Sequence, residues 1–159
     1  IILPYPVEDP DLLCFVSGEE RLFFSLPPAH PLSGAKELSF QDIDGESVLL
    51  FSQIGFWREV CRQKMPLTRT LVQTEQEDFD ELVQASALPC FSSDWAIRQY
   101  GKPQNRIVIP ISDPEGTAVY HFLCRRENRR KFSPLIGAFS GGKKAEKQKP
   151  EGKILPVFG

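Results

Sequence analysis

No run of apolar residues in this chain approaches the roughly 18 that a membrane-spanning helix needs, and Ile1-Ile2-Leu3 gives way at once to Pro4, Pro6, Glu8 and Asp9. The expectation is a protein with neither signal peptide nor membrane anchor. Cysteine is scarce: Cys14, Cys61, Cys90 and Cys124 are scattered through apolar segments without paired spacing. That usage predicts reduced, buried thiols in a cytoplasmic protein. Histidine is scarcer still, and His30 and His121 lie too far apart to supply the closely spaced ligand pairs of a zinc site. There is no glycine-rich phosphate loop and no flavin or nicotinamide fingerprint, so no cofactor is expected. Clustered positive charge is missing from most of the chain. Residues 140–159 carry five lysines against two glutamates, a net of +3, which leaves −5 for residues 1–139 out of a total of −2. An acidic body excludes nucleic-acid binding by this part, because phosphate contacts require clustered Lys and Arg. The lysine-rich stretch with Gly141-Gly142 and Pro150 predicts a solvated, flexible tail.

What remains is ordinary globular protein, 159 residues at 41% hydrophobic and 25% charged, long enough for one domain core. Leu12 to Val16 and Arg21 to Leu26 are short apolar runs separated by the turn signal Ser17-Gly18, which predicts two neighbouring strands. After Pro27-Pro28 and the turn at His30-Pro31-Leu32 comes an amphipathic step ending at Asp42-Ile43-Asp44-Gly45. The unbroken run Val48 to Phe51 predicts a buried strand, and a helix follows from near Gly55 to Pro66. Thr70 to Gln73 predicts a second strand, Asp78 to Ala85 a helix with acids in its first turn, and Ala87 to Phe91 a third strand. Ser92-Ser93-Asp94 then offers caps for a helix through Trp95, Ile97 and Tyr100 to the stop at Gly101. Alternating strands and helices predict a parallel sheet covered by helices. Ile107 to Ile111 and Ala118 to Cys124 predict two more strands, and Lys131 to Phe139 a final helix.

In such an α/β sheet, ligands collect beyond the carboxyl ends of the strands. Two segments fall there. The first is Ser52-Gln53-Ile54-Gly55-Phe56-Trp57, with hydroxyl and amide donors, a glycine that permits close main-chain approach, and aromatics to wall a cleft. The second is Phe91-Ser92-Ser93-Asp94, with Thr74, Glu75 and Asp78 completing the rim. The candidate binding residues are therefore Ser52, Gln53, Gly55, Phe56, Thr74, Ser92 and Ser93. A plainer account is also open: Ser92, Ser93 and Asp94 as helix caps, Ser52 and Gln53 as loop, Phe56 and Trp57 as core. Catalysis has little to work with. Cys90 has no histidine placed for it, since His121 lies mid-strand, and Glu75, Glu77, Asp78, Asp80 and Glu81 form a solvated helix start rather than a spaced acid/base pair. The chain is expected not to be an enzyme.

The stretch EERLFFSLPPAHPLSGAKELSFQD, Glu19 to Asp42, resembles the crossover between the lobes of a LysR-type transcriptional regulator. Ser47 to Ser52 and Glu81-Leu82-Val83-Gln84-Ala85-Ser86-Ala87-Leu88-Pro89 fall where that family's second lobe has its first strand and a later helix-strand-proline segment. The resemblance implies an α/β, periplasmic-binding-protein-like (type II) two-lobed fold. Residues 1–26 would end the first lobe, 27–104 would form the second, and 105–139 would lead back, the first lobe being partial. It also implies that the strand-to-helix junctions line an inter-lobe cleft for a small effector such as a carboxylate or similar anion. The full-length protein would be a homo-oligomer that touches DNA only through an N-terminal winged helix-turn-helix not present in this sequence. The rival reading is an extracytoplasmic solute-binding protein, which shares the two-lobed fold.

Overall fold

The computed structural model describes residues 1–140. The lysine-rich stretch expected to form a tail lies, apart from Ser140, outside the described residues. The described residues divide into two compact units, one built from residues 1–19 with 119–140 and the other from Glu20–Ala118.

The larger unit is a mixed sheet flanked by helices. Its strands are the later part of β2 (Leu12–Leu26), β3 (Ser47–Phe51), β4 (Arg69–Gln73), β5 (Cys90–Ser93) and β6 (Ile107–Pro110). β3 pairs in parallel with β4 on one side and with β5 on the other, and β5 and β6 both pair antiparallel with β2. Val48, Leu49 and Leu50 are buried, as an unbroken apolar run at the centre of a sheet requires. β4 lies at the end of the sheet order and leaves Leu71 and Val72 exposed. The helices are α1 (Phe40–Ile43), α2 (Trp57–Lys64), α3 (Gln76–Ala85) and α4 (Asp94–Tyr100). Phe79, Leu82 and Val83 of α3 pack on Leu49 and Cys90, the inward stripe that its sequence period predicts. α1 is a single turn held at its N-terminal end. Asp42 Oδ2 accepts from the Ser39 amide and hydroxyl at 2.7 Å each, which holds its carboxyl below the usual range, and the Phe40 amide donates to Asp113 Oδ2 at 2.7 Å.

One side chain ties several of these elements together. The Arg106 guanidinium donates to the carbonyls of Val83 and Ser86 at the end of α3, and to Leu88 O at 2.6 Å. A cation there satisfies orphan carbonyls and complements the negative end of the helix dipole. In the smaller unit, β1 (Ile2–Leu3) pairs antiparallel with β7 (Thr117–Arg125), setting Ile2 opposite Phe122. The Phe122 ring packs 5.6 Å from Phe132 and 5.5 Å from Phe139 of α5 (Ser133–Ser140), forming a small aromatic core.

Three local expectations are corrected. Leu12 to Leu26 is one continuous strand, because Ser17-Gly18 permits a turn without imposing one and the flanking residues favour extended backbone. The third parallel strand begins at Cys90 rather than Ala87. Pro89 has no amide to donate, and it joins the ladder only by accepting from Leu49 N at 2.8 Å. The sheet as a whole is mixed, since β2 runs against β5 and β6.

Candidate functional site

The parallel register fixes which residues share an edge. Phe51 stands opposite Gln73, and Leu49 opposite Cys90, so β4, β3 and β5 all end on one side of the sheet. Ser52, Thr74 and the pair Ser92-Ser93 follow or occupy those ends, which brings three separated sequence segments to a common edge. Ser52 donates its amide to Gln73 O at 2.8 Å. Its own carbonyl accepts from Arg58 Nη2 at 2.9 Å. Gln53 and Gly55 are exposed, and Gly55 takes φ of 59°, a left-handed conformation that turns the chain out of β3 and into α2 at little cost for glycine. Phe56 is half-buried with its ring 4.4 Å from that of Trp57 and tilted 34° to it; Trp57 is buried, as the plainer account of these aromatics expects, so only Phe56 remains to face a ligand.

Two details alter what this edge can offer a ligand. The Trp57 and Arg58 amides already donate to Ile54 O and Gly55 O, at 3.3 and 3.2 Å, so the first turn of α2 presents side chains rather than these backbone amides. Ser93 is buried, and its Oγ accepts from Ala96 N at 3.1 Å as the N-cap of α4. Its hydroxyl proton remains a donor. Asp94 acts on both sides of the strand end, with Oδ1 accepting from Arg21 N at 3.0 Å and Oδ2 from Arg98 at 2.5 Å.

Sequence reasoning missed the partner of one residue and the presence of another. Trp57 Nε1 donates to Glu20 Oε2 at 3.1 Å in a buried contact that joins α2 to β2, and no local pattern announces a pairing 37 residues apart. Arg58 is the other, and its signal was available: a cation in the first turn of a helix is out of place against the helix dipole. The remaining reactive residues are structural in their contacts. Cys90 Sγ lies 3.7 Å from Ser25 O, and burial pushes its thiol up, away from the thiolate a nucleophile needs. His30 accepts the Leu32 amide at Nδ1, 3.2 Å, and meets Glu46 through Nε2 at 2.9 Å, which closes the proline turn. Among the described residues no group of three His, Cys, Asp or Glu side chains could hold a metal ion, and no helix is long and apolar enough to cross a membrane. A cavity of about 530 Å³ in the smaller unit is lined by Asp9, Asp11, Leu12, Arg125, Arg126 and Glu127, none of them expected site residues.

The LysR substrate binding domain family matches residues 1–140. No curated protein sequence matches the chain. Among solved structures, the reduced OxyR regulatory domain from Pseudomonas aeruginosa is similar at 18% identity and a TM-score of 0.66, over 87% of this chain and 70% of that one. The regulatory domain of MetR from N. meningitidis aligns at 13% identity and 0.65, over 88% and 68%. The BenM effector binding domain with its effector benzoate aligns at 18% identity and 0.61, over 90% and 70%. Against a full-length OxyR from Pseudomonas aeruginosa, the chain spans about half the length, 51%. The fold is thus the α/β, periplasmic-binding-protein-like (type II) architecture. With the family matching all of its described residues, the chain belongs to the LysR substrate binding domain family.

Proposed function

We propose that this chain is the ligand-sensing part of a LysR-type transcriptional regulator acting in the cytoplasm. A small effector binds at Ser52, Gln53, Gly55, Phe56, Thr74, Ser92 and Ser93, which form one wall of an effector cleft. Residues 27–104 supply most of that wall. The observation that carries this reading is the shared edge of β4, β3 and β5, whose ends are followed or occupied by residues bearing hydroxyl and amide groups, with the half-buried Phe56 nearby. Structures of the same fold are described with small effectors or ligands, benzoate for BenM and shikimate for QuiR. Both molecules are carboxylates, which suits the donor character of this edge.

Effector binding then modulates how a homo-oligomer holds DNA through an N-terminal winged helix-turn-helix. Population shift is sufficient for this: the effector need only bind one arrangement of the regulator more tightly than the other. The reading is tested by screening small carboxylates for a rise in melting temperature, then measuring affinity for the best of them in Ser52→Ala and Gln53→Ala. Each lost donor is expected to weaken binding by about 0.5–3 kcal/mol, the upper end applying to a charged effector group. Unchanged affinity in both variants would sink the assignment.

A further inference from the structure

We propose that Arg58 sets the charge of the effector, presenting a guanidinium fork to a carboxylate at the end of β3. The inference rests on the strand-end site and names its anchoring cation. Three observations carry it.

First, Arg58 is the second residue of α2, where the positive end of the helix dipole opposes a cation. Glu59 beside it would suit that position. Its carboxylate is instead turned along the helix, accepting from Arg62 Nη2 at 2.6 Å, Arg62 Nε at 2.9 Å and Gln63 Nε2 at 2.6 Å. Arg58 therefore sits at a position that costs stability without a carboxylate to offset it among the described residues. Second, the side chain has a contact at the strand end. Nη2 of this exposed side chain donates to Ser52 O at 2.9 Å, which sets the guanidinium beside the strand end and leaves most of its five N–H groups available. Three other arginines of this unit are engaged elsewhere: Arg62 with Glu59, Arg98 with Asp94, and Arg106 with backbone carbonyls. Third, the Trp57 and Arg58 amides are already engaged by turn carbonyls, so an anion arriving here meets a side-chain cation rather than those amides. A planar fork at this position is suited to bidentate recognition of a carboxylate, which an ammonium does not match.

The test is an NMR titration of the whole chain with benzoate and with benzamide, its neutral isostere, in wild type, Arg58→Gln and Arg58→Lys. Benzoate is expected to shift the amides of Ser52, Gln53 and Arg58 in wild type, with benzamide much weaker. Arg58→Gln should weaken benzoate by about 10- to 100-fold and leave benzamide alone, and Arg58→Lys should restore part of the loss. Without ligand, Arg58→Gln should melt at or above wild type, because the conflict with the dipole is gone. A purely structural Arg58 would do the opposite, lowering the melting temperature while leaving benzoate affinity intact, and that result overturns the proposal. If Arg58→Gln has no effect on benzoate but Ser52→Ala and Gln53→Ala do, the strand-end site stands and the role of Arg58 falls. If no amide from 52 to 58 responds to benzoate in wild type, both fall.

Discussion

Individual side chains in this protein hold elements together by satisfying groups that the backbone leaves open. Arg106 is the clearest, since its contacts to Val83, Ser86 and Leu88 carbonyls cannot be replaced by an apolar residue of similar length. Arg106→Met is expected to lower stability by about 1.5–3 kcal/mol in urea unfolding, the range for hydrogen bonds involving a charged group. Ser93→Ala removes the α4 cap and should cost about 0.5–2 kcal/mol. The thiols give a separate check. Burial pushes Cys61 up to about 12 and raises Cys90 as well, while Cys14 is only half-buried. A thiol reagent at neutral pH should label Cys14 first in the native protein, with Cys61 and Cys90 reacting on unfolding.

Helix α2 concentrates the charge chemistry of the larger unit. Contacts from Arg62 and Gln63 hold the Glu59 carboxyl at about 2, against its usual 4.5. A depressed carboxylate contributes its stability above the unfolded value and loses it as pH falls toward the folded one. Glu59→Gln should therefore be slightly less stable than wild type at neutral pH, with the two converging as pH falls from 4.5 toward 2 and the difference staying small because the exposed pair is well screened. Elements of this kind were largely legible in the sequence. The periodicity of Phe79, Leu82 and Val83 placed α3, and the apolar run Val48 to Phe51 placed β3, because burial on one stripe or on both faces leaves a direct mark on composition. Boundaries were not legible where the deciding contact is distant. Pro89 delays β5 through a partner on β3, and the turn α1 depends on Asp113, far along the chain. At the site, the donors and the glycine were visible as residue types. The Trp57 contact to Glu20 was not, since a pair 37 residues apart is set by tertiary packing.

For the molecule as a whole, family membership and fold are fixed by the match over residues 1–140 and by the similar regulatory domains, and the functional account adds one claim to them. We propose that a small effector meets this protein at a single edge, where β4, β3 and β5 end together. Binding there should order the junctions before α2, α3 and α4, since each contributes a residue to the same edge. Amide hydrogen exchange, measured with and without a small carboxylate that raises the melting temperature, tests this most directly. The account predicts slowed exchange at residues 52–56, at Thr74 and at Ser92 and Ser93, with the far ends of the same strands unchanged. Slowed exchange confined to other parts of the chain, with those junctions unaffected, would contradict it.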